Sequence, residues 1–383
     1  MIYKQSSRRG LSVAAVCTGL VLVTGCLPFT GLSTPDLQPP NGTLRYASRD
    51  DNGGTLGSPV PQNTPLSTIP QSKKMPVIFD DDGSPDGTSA LLYLLSEPGV
   101  SLKAINMSYG EAHPQIYIQH IGRILDHLGF TGIPLGAGQD GPLTGGHDFP
   151  EWLLQSASNF WDLPLPNPQK TYPVQDSAPL MVSILNKAAE PVTVFVSGPC
   201  TNLARALRLD PDIRKNIKAV TIMGGAVYAP GNLSDLVPNP ANTTAEWNIY
   251  VDPQAAEEVF TSGLDVYLVP LDATNQVIID RTVTGRWRAG GKIANLSADL
   301  YDMLLKSSNT LNTPIWDLMT AVILVHPDLC GVQPLHLDVI TAPGDTEGRT
   351  VALPAEKPNV NVCLKPNAAL IKQELAEVFS KSR

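Results

Sequence analysis

The chain has 383 residues, 42% of them hydrophobic, and a formal net charge of −9 with a pI near 5.1. That length and apolar content suffice for one large domain or two ordinary ones. The acidic balance argues against nucleic acid as a partner, because phosphate binding needs a basic face.

The first 25 residues predict a lipoprotein signal peptide. A basic start precedes an apolar run over 11–23, which is too short for a comfortable membrane span. The run ends in Leu22-Val23-Thr24-Gly25-Cys26, which resembles a bacterial lipobox. The resemblance implies cleavage before Cys26 and lipidation of its sulfur. We therefore expect an exported lipoprotein, anchored on the periplasmic or extracellular face of a membrane.

Residues 26–73 are rich in Pro, Gly, Ser, Thr and Asn, and they show little apolar periodicity. Such a segment cannot bury enough apolar surface to fold, so it predicts a disordered tether. Beyond it, the cysteines are Cys200, Cys330 and Cys363, with no zinc-type spacing. One disulfide is possible, for example between Cys330 and Cys363, but the sequence does not establish it.

Residues 74–383 read as a single domain, because no linker interrupts them. Short apolar runs predict strands at 76–80, 101–107, 133–136, 192–196, 218–223 and 265–269. Helical patterns follow at 86–96, 114–128, 177–189, 201–217, 252–262, 295–309, 315–326 and 366–380, with extended pieces within 335–353. The alternation predicts an α/β fold with a Rossmann-like, open, largely parallel sheet and helices on both faces.

The first strand ends in an unusual set of acids. Asp80, Asp81 and Asp82 follow an apolar run, and Asp86 opens the next helix. Ligands of open α/β sheets bind outside the carboxyl ends of the strands. Four crowded carboxylates repel one another, so a divalent metal, a polyhydroxylated ligand or both are expected there.

Glycines, amides and indoles follow later strands and helix starts at the same predicted edge. These are Ser108-Tyr109-Gly110-Glu111, Ser197-Gly198-Pro199-Cys200-Thr201-Asn202, Met223-Gly224-Gly225, Gly231-Asn232, Glu246-Trp247-Asn248 and Pro314-Ile315-Trp316-Asp317. Each motif alone is weak, but together they place polar groups at one edge of one sheet.

Two enzyme families share the opening motif. The Asp80-x-Asp82 pair and the strand ending at Ser197 also resemble haloacid-dehalogenase-type phosphatases. Those enzymes need a Lys and a later acidic pair for magnesium, and no convincing acidic motif follows in order.

The fuller resemblance, over nearly all of 75–330, is to the inosine–uridine-preferring nucleoside hydrolases. Their fingerprint is a strand, then Asp-x-Asp-x-Gly-x-Asp-Asp, then a helix, which matches Asp80 to Gly87 here. The Gly-Pro-x-Thr-Asn turn at 198–202 and the later motifs follow in the family's order. The resemblance implies hydrolysis of a ribonucleoside to ribose and free base. It also implies that this chain could form a homo-oligomer.

The resemblance further implies a Ca²⁺ cofactor and a set of site residues. Asp82 would be the catalytic base and a metal ligand, joined as ligands by the Ser197 carbonyl and the Asp317 carboxylate. The residues that would contact the nucleoside are Asp86, Glu111, Trp152, Met223, Asn232, Glu246, Asn248 and Trp316.

Two positions depart from the pattern. Gly87 stands where the family has its second adjacent Asp, a metal ligand. The loss is expected to weaken calcium binding unless Asp80, Asp81 or a water compensates, and Gly87→Asp is expected to tighten it. A one-residue slip, with Asp86 as the ligand, and a relative that binds nucleosides without hydrolysing them both stay open.

The second departure is Trp316, where many members have a His that protonates the leaving base. The purine-preferring branch has Trp at this place and stacks the purine between indoles. Phe149-Pro150-Glu151-Trp152 resembles the segment that supplies the other indole. We therefore expect a purine ribonucleoside as substrate.

Overall fold

The computed structural model describes residues 74–168, 170–308, 310–353 and 355–382. The predicted signal peptide, Cys26 and the tether lie outside these residues. Among the helices in the described ranges, none has the length and apolar content needed to cross a membrane.

The strands form one large sheet and two small two-stranded sheets. Their bounds are β1 Met75–Asp81, β2 Val100–Met107, β3 Leu135–Ala137, β4 Val174–Asp176, β5 Val192–Ser197, β6 Ile217–Met223, β7 Val266–Val269, β8 Ile278–Asp280, β9 Asn312–Pro314, β10 Cys330–Leu335, β11 Leu337–Val339, β12 Thr350–Ala352 and β13 Val360–Pro366.

The helices connect these strands and cover the sheet. They are α1 Pro85–Ser96, α2 Pro114–Leu128, α3 Glu151–Ser158, α4 Ser177–Lys187, α5 Thr201–Leu209, α6 Trp247–Val251, α7 Pro253–Phe260, α8 Leu271–Thr274, α9 Arg281–Trp287, α10 Lys292–Ser307, α11 Asp317–Val325 and α12 Ala368–Lys381.

The large sheet has the order β10-β13-β7-β6-β5-β1-β2-β3-β4. Neighbouring strands are parallel except for β10, which runs antiparallel to β13 at one edge. From β1 the chain builds outward through β2, β3 and β4, and then continues on the other side of β1 with β5, β6 and β7. The reversal lies between β1 and β5, where α/β sheets of this kind bind ligands.

Residues alternate between two cores along β1. Val77 and Phe79 pack with residues of α1, α2, α10, α11 and α12, whereas Ile78 packs with residues of α4, α5 and α7. Successive side chains of a strand point to opposite faces, so a strand buried on both sides is apolar throughout. The predicted α/β fold, with helices on both faces of a largely parallel sheet, is confirmed.

Some boundaries and one sheet edge differ from expectation. The predicted helix 201–217 stops at Leu209, because Pro211 follows Asp210 and starts a separate 3₁₀ segment. The strand β13 was not predicted, and its pairing with β7 and β10 spans a long sequence distance. The structure pairs Cys330 with Cys363 in a disulfide that joins β10 to β13, which the sequence had left open.

Candidate active site

The acidic residues predicted to form the site meet at the carboxyl end of β1. Asp81 pairs in register with Met107 of β2 and Ser197 of β5, so three strand ends lie level there. We call Asp80, Asp81, Asp82, Asp86 and Asp317 the acid group; all five side chains are buried.

Asp82 lies against two glycines that its side chain requires. A Cβ atom on Gly110 would come within 2.3 Å of Asp82 Oδ2, and one on Gly198 within 2.6 Å of Asp82 Cβ. The Glu111 amide donates a hydrogen bond to Asp82 Oδ2 at 3.2 Å. Burial, followed by the charges of Glu111 and Asp81, raises the pKa of the Asp82 carboxyl well above its usual range. Its negative charge therefore needs compensation.

Asp81 points to the other face of β1, toward α1. Its Oδ1 accepts a hydrogen bond from Ser197 Oγ at 2.7 Å, and its Oδ2 accepts one from the Gly83 amide at 2.9 Å. Burial raises its pKa to about 7 against these hydrogen bonds. A Cβ atom on Gly87 would lie only 1.8 Å from Asp81 Oδ1. An Asp at position 87 therefore cannot be added unless Asp81 moves, contrary to the simple expectation for Gly87→Asp.

Asp86 joins α1 to α11. Its Oδ2 accepts hydrogen bonds from the amides of Trp316, at 2.8 Å, and Asp317, at 2.6 Å. Its Oδ1 accepts a hydrogen bond from the Tyr301 hydroxyl. Unpaired amides at a helix start attract carboxylates, so Asp86 fixes the first turn of α11 and places Asp317 in the acid group.

Asp317 presents a free oxygen to the site. Its Oδ2 accepts a hydrogen bond from Ser84 Oγ at 2.9 Å, and Ser84 also caps α1 by accepting from the Gly87 amide at 2.7 Å. Asp317 Oδ1 has no hydrogen-bond partner although the side chain is only 5% exposed. Burial, then the charges of Asp86, Asp81 and Asp82, raises its pKa well above the usual range.

The acid group has no basic side chain to balance it. Across the described ranges, no Lys, Arg or His forms an ion pair with any of its five members. A buried, unpaired carboxylate oxygen is unfavourable, and a set of oxygen donors alone suits a hard divalent cation. The donor set therefore fits a metal such as Ca²⁺, which Asp82, Asp317 and the Ser197 carbonyl could hold.

A second set of polar residues lies beyond β6. Glu246 caps α6 and accepts hydrogen bonds from the amides of Asn248, at 3.0 Å, and Gly225, at 2.9 Å. Asn248 Nδ2 donates to the Met223 carbonyl at 3.2 Å. Asn232 Oδ1 accepts from the Trp247 amide at 3.0 Å, which ties the predicted sugar-binding loop to α6. Four predicted nucleoside contacts, Met223, Asn232, Glu246 and Asn248, are thus joined by direct hydrogen bonds and one short helix.

The predicted aromatic contacts divide into two cases. Trp316 packs, partly buried, against a small cluster that includes Met223 and Leu271, so it stands beside the predicted sugar site. Trp152 lies on α3 and is 55% exposed. The structure therefore brings Trp316 to the site. Trp152 is exposed on α3, whose Leu153 and Leu154 pack in one cluster with Leu233 and Trp247. Glu111 is half-buried, and its amide touches Asp82.

Comparison with known proteins identifies the family. The family model described as inosine-uridine preferring nucleoside hydrolase matches residues 77–373. The chain belongs to this family. A pyrimidine-specific ribonucleoside hydrolase RihA from Citrobacter koseri is 32% identical over 298 residues, which span 75% of this chain and 92% of the relative.

Solved structures agree on the fold. A purine-preferring ribonucleoside hydrolase from Gardnerella vaginalis superposes with a TM-score of 0.71 at 25% identity, covering 80% of this chain and 98% of that one. An inosine-uridine preferring nucleoside hydrolase from Bacillus anthracis gives 0.66 at 24% identity, with 80% and 99% covered. The chain is therefore a ribonucleoside N-glycosyl hydrolase, and the phosphatase alternative is set aside.

Three supporting residues of this nucleoside hydrolase were not predicted from the sequence. Asn202 Nδ2 donates to Asp80 Oδ1 at 2.8 Å, Ser84 links α1 to Asp317, and Tyr301 holds Asp86. The Gly-Pro-x-Thr-Asn turn contained a signal for Asn202, since a side-chain amide at a strand-to-helix turn can reach the neighbouring strand. Tyr301 lies in the middle of α10, and nothing local in the sequence marks it.

Proposed function

We propose that the chain hydrolyses purine ribonucleosides in a calcium-dependent reaction in which Asp82 is the general base. The observation that carries the proposal is the acid group itself: five buried carboxylates without an ion-paired basic side chain, two of which, Asp80 and Asp317, have an unpaired oxygen. Such a group suits a cation and, next to it, the positive charge that develops on ribose when the glycosidic bond breaks.

Asp82, Asp317 and the Ser197 carbonyl would hold the Ca²⁺. When bound, the ion would supply an acidified water and an anchor for ribose hydroxyls. The oxygen-only donor set and the unpaired Asp317 Oδ1 support this assignment.

The protein residues then carry the remaining chemistry. Asp82, held by the Glu111 amide, accepts the proton of the attacking water. The N-glycosidic bond breaks as its electron pair leaves with the base, and the neighbouring carboxylates offset the positive charge on ribose. Asp86, Glu246, Asn232 and Asn248 orient the ribose hydroxyls. Glu246 Oε1 accepts one amide hydrogen bond and keeps a further lone pair for a hydroxyl.

The leaving base determines the second part of the proposal. Trp316 forms an aromatic surface next to Met223, and stacking on an indole favours a large purine ring. No histidine stands at this position, so stacking and solvent, rather than a histidine, would assist protonation of the base. Trp152, exposed on α3, would supply the second indole of the stack.

A pyrimidine preference is the second candidate function. It is favoured by the Citrobacter relative, whose name gives pyrimidine specificity. A panel of inosine, adenosine, guanosine, uridine and cytidine separates the two: the proposal expects higher kcat/KM for the purines. Higher values for uridine and cytidine would refute the purine assignment while leaving the enzyme class intact.

Metal dependence is tested in the same assay. EDTA should abolish release of ribose from the best substrate, and CaCl₂ should restore it. Tight binding of inosine without release of ribose would instead identify a nucleoside-binding protein.

We further infer that the enzyme acts as an exported, membrane-anchored lipoprotein. The lipobox-like segment ending at Cys26 and the polar stretch 26–73 support this. Mass spectrometry of the mature chain should find a lipidated Cys26 at its N-terminus, and a Cys26→Ser variant should leave the membrane fraction. An unmodified cysteine or an uncleaved N-terminus would refute it.

A further inference from the structure

Asp81 and Gly87 change where the acids of the family fingerprint stand. The fingerprint Asp-x-Asp-x-Gly-x-Asp-Asp has a variable residue at the position of Asp81 and an acid at that of Gly87. This chain has the reverse, an acid at the variable position and none at the last. The number of carboxylates is therefore unchanged, and only their positions differ.

The two positions share one volume in the structure. A Cβ atom on Gly87 would lie 1.8 Å from Asp81 Oδ1, 2.5 Å from Cγ and 2.8 Å from Oδ2. Real Cβ atoms essentially never come within 3.0 Å of another heavy atom. The carboxyl group of Asp81 therefore stands where a side chain on residue 87 would begin, and the two residues cannot both carry one.

Strand geometry directs Asp81 to this place. Asp81 is the last residue of β1. Because alternate residues of a strand share a face, it lies on the same face as Val77 and Phe79, which pack on the α1 side of the sheet. Gly87 lies in the first turn of α1. The Ser197 hydroxyl and the Gly83 amide each occupy one lone pair of the Asp81 carboxylate, which leaves a further lone pair on each oxygen.

A second observation concerns Asp317, which the charge of Asp81 reaches. Asp317 Oδ1 is buried without a hydrogen-bond partner, and the charge of Asp81 acts on Asp317. Asp86, the ligand that a one-residue slip would select, is instead engaged by the first amides of α11 and by Tyr301. Asp80, the other acid that could compensate, lies on the same face of β1 as Ile78 and binds Asn202 Nδ2 at 2.8 Å. Asp81 therefore fits the missing role better than Asp86.

We propose that Asp81 supplies, from the end of β1, the metal-binding carboxylate that the family fingerprint places at position 87 on α1. The assignment rests on the calcium site of the proposed function. It implies that Gly87 is required by Asp81, and that the enzyme keeps its full set of acidic ligands despite the changed motif.

The test is calcium binding, measured by isothermal titration calorimetry on the full chain after EDTA treatment. Asp81→Asn should weaken calcium binding about tenfold or more, because asparagine keeps nearly the shape of aspartate but lacks its charge. Gly87→Asp alone should also weaken it, because the new side chain displaces Asp81. The double variant Asp81→Ala/Gly87→Asp should regain most of the affinity that Asp81→Ala loses.

Controls keep the outcomes distinct. Glu374→Gln removes a buried carboxylate of α12, next to the C-terminal ends of α1 and α11, and should bind calcium as the wild type does, while circular dichroism reports whether each variant folds. Wild-type affinity in Asp81→Asn, tighter binding by Gly87→Asp, or no recovery in the double variant would overturn the assignment of Asp81 and leave the hydrolase function standing. A wild-type chain that hydrolyses nucleosides without binding calcium would overturn the proposed cofactor as well.

Discussion

Two buried acidic groups lie at opposite ends of the same pair of helices. The acid group sits at the N-terminal ends of α1 and α11. Glu97 and His326 follow their C-terminal ends and meet Glu374 of α12; we call these three the histidine group. Helix N-termini favour anions and C-termini favour cations. The same scaffold therefore presents two different electrostatic environments.

The histidine group is balanced by its own residues. His326 Nε2 lies 3.2 Å from Glu374 Oε1, and the Tyr93 hydroxyl donates to the same oxygen at 3.4 Å. Burial lowers the pKa of His326, but the close contact and charge of Glu374 outweigh it, so the net shift is upward. The acid group has no such internal cation. The histidine group can therefore be structural, whereas the acid group needs a ligand to balance its charge.

The largest effect is expected from Asp82→Asn. The change keeps the shape of the side chain but removes its ability to accept a proton, so kcat for inosine should fall by about 10³-fold. Steady-state ribose release measures it, with circular dichroism as the folding control. Retention of most of the activity would show that another residue is the base.

Calcium should stabilise the fold through the acid group alone. Calcium at about 100 times its Kd should add about 2.7 kcal/mol to the free energy of unfolding. Thermal or urea unfolding with CaCl₂ or EDTA measures this increment, which Glu374→Gln should leave unchanged. An increment that disappears in Glu374→Gln would mean that calcium binds the histidine group, and the comparison of the two ends would be wrong.

Trp316→Ala tests the nucleobase side of the acid group. Loss of stacking should cost about 2 kcal/mol of transition-state stabilisation, so kcat/KM for inosine should fall roughly 30-fold. A p-nitrophenyl riboside, whose leaving group needs no protonation, should lose less. Equal losses on both substrates would indicate that Trp316 acts on the fold and not on the purine.

The smallest effect should come from the pH dependence of the histidine group. Since the folded state raises the pKa of His326, its ion pair with Glu374 stabilises the protein fully below the ordinary histidine pKa. This stabilisation is lost as the pH rises through the higher folded value. The wild type should therefore exceed Glu374→Gln in stability by on the order of 1 kcal/mol near pH 5, and the difference should shrink toward pH 8.

Urea unfolding of both proteins across that range measures the difference. Burial, and then the charge of Glu374, raises the pKa of Glu97 to about 7. Because ionised Glu97 is repelled by Glu374, it also makes the stability difference shrink as the pH rises. A difference that grows with pH would show that His326 is not charged in the folded protein.

The sequence predicted the parts of this arrangement that depend on local patterns. The apolar run before Asp80, the Ser84-Pro85 start of α1 and the Gly110 and Gly198 turns each have a local physical cause, and all lie where expected. The motifs after β1, β2 and β5 were expected at one edge of one sheet, and the ends of these three strands lie level there.

The remaining parts depend on packing across the chain. The exclusion between Asp81 and Gly87 requires the distance between a strand end and a helix turn, which residue types alone do not give. The use of Asp86 to hold α11 joins residues 230 positions apart. The exposed position of Trp152 likewise depends on how α3 packs, so its predicted stacking role stays a prediction.

The most direct measurement is a calcium titration of the EDTA-treated full chain, with bound calcium and ribose release from inosine followed in the same samples. We expect a single calcium site per chain and ribose release that rises in proportion to its occupancy. Full ribose release from the calcium-free chain, or occupancy without release, would contradict a calcium-dependent hydrolase built on the acid group.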